Sequence, residues 1–122
     1  MQATVRVLAL LLLSTHAVAA DEVFPEFDDA TLKQGRIIWL GTCKACHATG
    51  LADAPMVSDA EAWAPRLLKD RNTLYQHALN GFFGPMGTQM PPRGGNDALN
   101  DDEVRAAVDY MAAIAGKIKL EN

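Results

Sequence analysis

The sequence predicts a single small domain with an all-α fold. Several stretches carry apolar residues at three- and four-residue spacing and begin just after residues that cap helices. No stretch alternates polar and apolar residues over the length of a strand, and the sequence has no internal repeat or low-complexity tract. A length of 122 residues is typical of one domain, and the net charge of −4 argues against a nucleic acid or an anionic membrane as partner.

Residues 1–20 have the pattern of a secretory signal peptide that is cleaved from the mature chain. Arg6 is the only charged side chain before a short apolar run, and small residues follow at 17–20. Cleavage after Ala19 and cleavage after Ala20 satisfy the small-residue rule equally well. The run is far shorter than the roughly 20 residues that span a bilayer, so we expect export and no stable membrane insertion. An uncleaved anchor is the alternative.

An irregular, acidic lead-in is predicted over residues 21–29. Pro25 and the clustered acidic residues argue against a helix there. Its two aromatic residues, Phe24 and Phe27, either pack onto the body of the domain or fray with the segment.

The first helix is predicted over residues 30–41, with Asp28 or Asp29 as its N-cap and Gly41 as its stop. Gly35 in mid-helix costs roughly 1 kcal/mol relative to alanine. A glycine at such a position often allows another backbone to come close, and we expect a second helix to do so here. A helix position that is merely weak is the alternative.

The motif Cys43-Lys44-Ala45-Cys46-His47 has the spacing of a covalent attachment site for haem c. Two thiols separated by two residues on one turn can each form a thioether with a vinyl group on the same edge of a porphyrin. The imidazole of His47 then faces the iron. A redox-active disulfide and half of a zinc site are the alternatives. The first belongs in a strand–helix–strand setting that this sequence lacks, and zinc needs four ligands although the chain has only two cysteines.

The segment after this motif, residues 48–57, is predicted to be a loop. The carbonyl of Pro55 is our candidate acceptor for the free ring nitrogen of His47, a bond that would fix the tautomer and the orientation of the imidazole. Ser58 is predicted to start the next helix in a capping box with Glu61.

Three residues of this next helix have specific expectations. Pro65 is expected to kink or break it near Ala64, because proline removes a backbone donor. Trp63 is assigned to the core or to the edge of the haem. Arg66 is either a charge-assisted donor to a haem propionate or a solvated basic residue.

A third helix is predicted over residues 71–80, ending at Gly81. Residues 81–96 are predicted to form a long loop without secondary structure of its own. Loops of this length are usually functional or disordered, and the apolar content of this one argues against disorder.

The last helix is predicted to begin at the cap Asn100, with Glu103 completing a capping box. Leu99 and Val104 occupy the positions of a hydrophobic staple. The helix is expected to end at Gly116, before a tail at 117–122, and its buried face is predicted to consist of Ala107, Tyr110, Met111 and Ile114.

The second axial ligand of the iron has five candidates downstream, namely Met56, His77, Met86, Met90 and Met111. Met111 lies on the apolar face of a helix, and Met56 is too close to His47 in the chain to cross the ring. We select Met90, because Pro91 forces it out of helical conformation and the prolines after it stiffen the segment. Met86 has its proline before it, with glycines on both sides of that pair, and belongs to a more flexible stretch.

Taken together, these residues resemble a monohaem class I c-type cytochrome, and within that class the small bacterial cytochrome c-five group. The resemblance rests on Gly35 with Trp39, the CKACH motif, the helix of Tyr110, AWAPR at 62–66, HALNG at 77–81 and MPPRGG at 90–95. One departure is that Asn96 and Leu99 occupy positions where many c-five members carry a second cysteine pair.

The resemblance implies a cytochrome c fold over residues 30–116, in which the N- and C-terminal helices cross near Gly35 and Tyr110. It implies thioethers at Cys43 and Cys46 and axial ligation by His47 and Met90. The surroundings of the haem are assigned to Pro55, Trp63, Arg66 and Arg93.

With both axial positions filled, the resemblance implies an electron carrier rather than an enzyme. It would lie in the periplasm and dock transiently on redox partner proteins at the exposed haem edge, a membrane oxidase or reductase being one possible partner. Three alternatives stay open. They are a haem subunit of a larger periplasmic oxidoreductase, for example one that oxidises sulfur compounds; a five-coordinate haem that binds gas or reduces peroxide; and a bis-histidine haem that uses His77.

Overall fold

The computed structural model describes residues 24–117. The predicted signal peptide at 1–20, and all of the predicted tail after Lys117, lie outside the described residues. The described helices and strands are α1 (Ala30–Ile38), a π-helical turn (Trp39–Cys43), α2 (Lys44–His47), α3 (Ala60–Leu67), α4 (Arg71–Asn80), β1 (Phe82–Phe83), β2 (Gln89–Met90) and α5 (Asp101–Ile114). The all-α class is confirmed, with one short hairpin added. None of the described helices is long and apolar enough to cross a membrane.

Helices α1 and α5 pack against each other at Gly35, as predicted. A Cβ atom placed on Gly35 would lie 2.0 Å from the carbonyl oxygen of Ala106 and 2.8 Å from Cβ of Tyr110. The two backbones approach this closely only because glycine has no side chain. Asp29 caps α1, since its carboxylate accepts a hydrogen bond from the Leu32 N–H at 2.9 Å.

The main core lies between these two helices and the segments that flank α3. It consists of Phe24, Trp39, Val57, Trp63, Tyr110, Met111, Ile114 and Ala115. The lead-in packs onto this core rather than fraying. Phe24 and Trp39 make an edge-on contact at 5.2 Å between ring centroids, Phe27 does the same with Tyr110 at 5.9 Å, and the Tyr110 hydroxyl donates to the Pro25 carbonyl at 2.9 Å.

The prediction that Gly41 ends the first helix is wrong. The helical backbone runs on through a π-helical turn, in which the Lys44 N–H bonds to the Trp39 carbonyl, and continues to His47. A glycine ends a helix by taking the left-handed conformation, and Gly41 does not have a positive φ. The attachment motif is therefore carried on a continuous helical segment and not on a separate turn.

The predicted cap of α3 is also wrong, and of the two effects expected of Pro65 the break is absent. The cap is Asp59 rather than Ser58, and its carboxylate accepts from the N–H groups of Glu61 and Ala62, each at 3.0 Å. Pro65 does not break the helix, which continues to Leu67. The donor that Pro65 lacks would bond to Glu61 in the first turn, and both residues are exposed, so water can reach the unpaired carbonyl.

The predicted loop at 81–96 has secondary structure of its own. Strands β1 and β2 form an antiparallel hairpin with Phe82 opposite Met90 and Phe83 opposite Gln89, and a 3₁₀ turn follows at Pro92–Gly95. Strands of two residues are too short to produce an alternating pattern in the sequence, which is why the hairpin was not predicted.

The ends of α4 and α5 agree with the predictions. Gly81 closes α4 with a φ of +83°. Asn100 and Glu103 form the reciprocal capping box of α5, with bonds of 3.0 and 2.8 Å. A second core cluster joins the two helices through Ala78, Leu79, Val104 and Val108, and Leu99 and Met90 pack against it. All four residues predicted for the buried face of α5 are buried.

Candidate functional site

The two thiols of the motif lie on consecutive turns of the helical segment that leads out of α1. Cys43 closes the π-helical turn, Cys46 lies in α2, and both are unpaired and partly exposed. Burial raises the pKa of the Cys43 thiol to about 11, so it is protonated at neutral pH. A thiol that stays protonated is a poor nucleophile, which argues against Cys43 as the attacking thiol of a redox-active dithiol. Among the described residues no group of three or more His, Cys, Asp or Glu side chains could hold a metal ion, which argues against zinc.

His47 is a buried, oriented and neutral imidazole. Its side chain is 9% exposed, and Nδ1 lies 3.0 Å from the carbonyl oxygen of Pro55. The predicted hydrogen bond is therefore present. Since a carbonyl only accepts, Nδ1 donates, and the lone pair of the neutral ring is on Nε2, where a metal could bind it. Burial lowers the pKa of His47 more than the Pro55 carbonyl raises it, and nearby Arg66 lowers it further.

The Pro55 carbonyl also accepts a second hydrogen bond, which the sequence did not indicate. Nε1 of Trp63 donates to it at 3.3 Å, and Trp63 is only 6% exposed within the main core. The sequence placed Trp63 in the core or at the haem edge, and no sequence signal pairs it with Pro55. The same oxygen thus links the candidate ligand His47 to the core.

The two arginines assigned to the haem surroundings make contacts within the protein. Arg66 donates to the Ala62 carbonyl one turn earlier in α3. Arg93 donates to the Leu99 carbonyl at 3.0 Å and to the Asp101 carboxylate at 2.6 Å. The Arg93 contacts tie the turn after β2 to the start of α5, a structural role that the sequence did not indicate.

Met90 lies in β2 in extended conformation, as the proline after it predicts. It is half-buried against the second core cluster. Met86, by contrast, is 85% exposed in the turn of the hairpin, and Met111 is buried in the main core. The structure therefore brings Met90, but not Met86, against the packed interior.

His77 remains the other candidate for the upper ligand. It lies on α4, half-buried, with its ring 4.2 Å from the ring centroid of Phe82. Burial lowers its pKa, and Lys69 lowers it further. This aromatic contact gives His77 a packing role without a metal.

The donor set as a whole fits haem c. Two unpaired thiols are available at the sequence spacing of a haem c attachment motif, next to a neutral imidazole whose Nδ1 is occupied. A thioether on a stiff extended strand supplies a second donor of the kind that pairs with histidine in such sites.

Comparisons with known proteins agree with this set of residues. Residues 30–111 match the family model described as cytochrome c oxidase, cbb3-type, subunit III. Cytochrome c-555 of Chlorobaculum tepidum is 39% identical over 103 residues, which cover 84% of this chain and 85% of that protein. Cytochrome c5 of Azotobacter vinelandii is 36% identical over 74 residues, which cover 59% of this chain and 83% of that protein.

A solved structure is also similar. It is described as the crystal structure of an electron transfer complex of nitrite reductase with cytochrome c. The matched chain is 40% identical, with a TM-score of 0.59, over 67% of this chain and 94% of its own length.

Proposed function

Because this chain belongs to the monohaem class I c-type cytochromes, electron carriers with covalently bound haem c, we propose that it transfers single electrons through a six-coordinate site closed by His47 and Met90. Cys43 and Cys46 would carry the two thioethers. Haem c supplies an iron that alternates between the ferric and ferrous states. The protein's part is to hold two ligands in place so that neither leaves when the charge changes.

The bond from His47 Nδ1 to the Pro55 carbonyl is the observation that carries this proposal. It fixes the tautomer with Nε2 free, stops the ring from turning and raises the basicity of the ligand. Burial keeps the ring neutral and available to a metal. A histidine held in this way is suited to permanent ligation rather than to proton transfer.

The position of Met90 supports a carrier over a catalyst. Its strand is paired with β1, and its side chain packs against α4 and α5. A thioether on such a stiff segment can occupy the second axial position and exclude substrates, gases and peroxide. Histidine–methionine ligation raises the reduction potential relative to many other haem sites.

Docking at the exposed edge of the haem is the proposed route for electrons. Redox encounters of this kind are small and transient. The relative solved in complex with nitrite reductase supports a soluble or membrane-bound redox enzyme as the kind of partner. The acidic net charge favours partners with a basic surface. The signal pattern at 1–20 supports a periplasmic location.

A haem subunit of a larger oxidoreductase is the second candidate, favoured by the match to a model of an oxidase subunit. Size-exclusion chromatography of the purified protein distinguishes a free carrier from a subunit. A free carrier elutes alone at the size of a small domain, whereas a subunit elutes with a stable partner.

The visible spectrum tests the ligand assignment. We expect the ferric protein to show the weak far-red band of methionine–iron charge transfer, and we expect Met90→Ala to abolish it. Met86→Ala is the matched control and should keep the band, since Met86 is exposed. Loss of the band in Met86→Ala alone, or ready binding of carbon monoxide by the reduced wild type at neutral pH, would contradict the proposal.

A further inference from the structure

Thr42 connects the two halves of the candidate site. It lies in the π-helical turn directly before Cys43, and its hydroxyl accepts a hydrogen bond from Nδ2 of Asn96 at 3.1 Å. Asn96 caps the C-terminal end of the 3₁₀ turn that follows β2. This bond therefore joins the segment of the lower ligand His47 to the segment of Met90.

The side-chain amide of Asn96 is oriented for this bond by contacts within its own turn. Its Oδ1 accepts from the Ala98 N–H at 3.2 Å, and the backbone N–H of Asn96 donates to the Arg93 carbonyl at 3.2 Å. Because the oxygen of the amide is used locally, the NH₂ group is the end that faces Thr42. A donor held in this way loses little conformational freedom when it forms the bond.

The methyl group of Thr42 lies beside the same turn, at a position where only glycine leaves it room. Gly94 has a φ of +64°, and a Cβ atom placed on it would lie 3.2 Å from Cγ2 of Thr42. The hydroxyl and the methyl of one threonine thus both face the chain after Met90. Thr42 and Asn96 are each half-buried, so water competes only partly for the bond.

The other contacts that hold the Met90 segment join it to β1 and to the start of α5. The hairpin ties Met90 to Phe82 after α4, and Arg93 ties the turn to Asp101 at the start of α5. The Thr42 contacts, by contrast, reach the segment that holds His47 and the thiols. They set how far apart the two ligand segments lie.

We propose that Thr42 is a positioning residue, which latches the Met90 segment to the haem-attachment segment through Asn96 and Gly94 and so resists displacement of the methionine. This inference rests on the proposed ligation by Met90. A ligand on a loop competes with any small ligand that reaches the iron, and its advantage depends on how firmly the loop is held. Without the latch, an added ligand should compete better.

Imidazole binding to the ferric holoprotein is the test. Thr42→Val keeps the shape and the methyl but removes the hydroxyl, and we expect the affinity for imidazole to rise roughly three- to tenfold, the range for one lost hydrogen bond. Asn96→Ala should raise it by a similar factor, and the double variant by no more than either one, because both remove the same bond. Thr42→Ser keeps the hydroxyl and should stay within about twofold of wild type.

A variant elsewhere separates the latch from a general loss of stability. Tyr110→Phe removes a hydroxyl that donates to the Pro25 carbonyl and also bonds to Arg36, on the side of the lead-in. It should lower the resistance to urea as Thr42→Val does, yet leave imidazole affinity unchanged. An unchanged affinity in both Thr42→Val and Asn96→Ala, or an equal rise in Tyr110→Phe, would overturn the latch.

Met90→Ala separates the two proposals. If the wild type lacks the far-red band and binds imidazole as tightly as Met90→Ala does, the ligand assignment fails and the latch fails with it. If the wild type shows the band and resists imidazole, but Thr42→Val behaves like the wild type, the latch alone fails.

Discussion

Gly35 of α1 lies so close to Ala106 of α5 that a methyl group on Gly35 would be 2.0 Å from the Ala106 carbonyl oxygen. This contact sets the crossing of the two helices. The next turn of α1 leads to Trp39, whose ring lies 6.4 Å from that of Tyr110, and then directly into the attachment motif. The glycine therefore helps to position the haem-attachment segment on the core.

Replacement of Gly35 by alanine should lower the free energy of unfolding by about 2 kcal/mol. Alanine gains roughly 1 kcal/mol in helix propensity. The clash is with backbone, which cannot move aside as a side chain can, so its cost lies at the upper end of the overpacking range, at about 3 kcal/mol. Urea unfolding of the holoprotein, followed by circular dichroism, measures the change. A stability equal to or above that of wild type would show that the helices can separate at no cost.

Gly41→Ala is the matched control. A Cβ atom on Gly41 would meet nothing within 4 Å, and its φ is not positive. The same change in the same helical segment should therefore raise the stability by about 0.5–1 kcal/mol, through helix propensity and reduced freedom of the unfolded chain. A similar loss at both positions would mean that the close contact at Gly35 is not the cause.

The sequence was sufficient to predict features that depend on residues close together in the chain. The cap at Asn100, the stop at Gly81, the close approach at Gly35, the extended Met90 and the bond from His47 to Pro55 each follow from a residue type at a set spacing, and the structure has all of them. The family that the sequence resembles is also the family that the comparisons show.

What the sequence did not supply depends on contacts between distant segments. The bond from Asn96 to Thr42 joins residues 54 positions apart, and Trp63 meets Pro55 only when α3 folds back onto the loop. The π-helical turn has no recognisable composition, so the sequence predicts a stop at Gly41 that the structure lacks. The pairing of Arg93 with Asp101 could not be predicted, because the two residues lie close together only when α5 packs against the turn after β2.

The pair of Arg93 and Asp101 should make stability depend on pH. The hydrogen bond from Arg93 holds the pKa of Asp101 below its ordinary value. A depressed pKa means that the pair stabilises the fold above the unfolded value, near 3.9, and that this contribution disappears as the pH falls through the folded value. Asp101→Asn should therefore be less stable than wild type at pH 7, and the two should converge in acid. A constant difference between pH 7 and pH 3 would contradict this.

Asp102→Asn is the control for that experiment. Its carboxylate bonds to Arg105 at 3.1 Å on an exposed surface of the same helix. Asp102→Asn and Asp101→Asn each remove one negative charge from the first turn of α5, so both variants change the interaction with the helix dipole equally. Only Asp101→Asn also releases Arg93 and the turn after Met90, so only that variant should weaken the far-red band.

Replacement of Trp63 by phenylalanine should lower the reduction potential of the haem. The Pro55 carbonyl accepts from both Trp63 and His47, at 3.3 and 3.0 Å. With one donor gone, the oxygen binds the His47 N–H more strongly, which makes the imidazole a better donor and stabilises the ferric state. Potentiometric titration of the holoprotein should show the fall, and an unchanged or raised potential in Trp63→Phe would exclude this coupling.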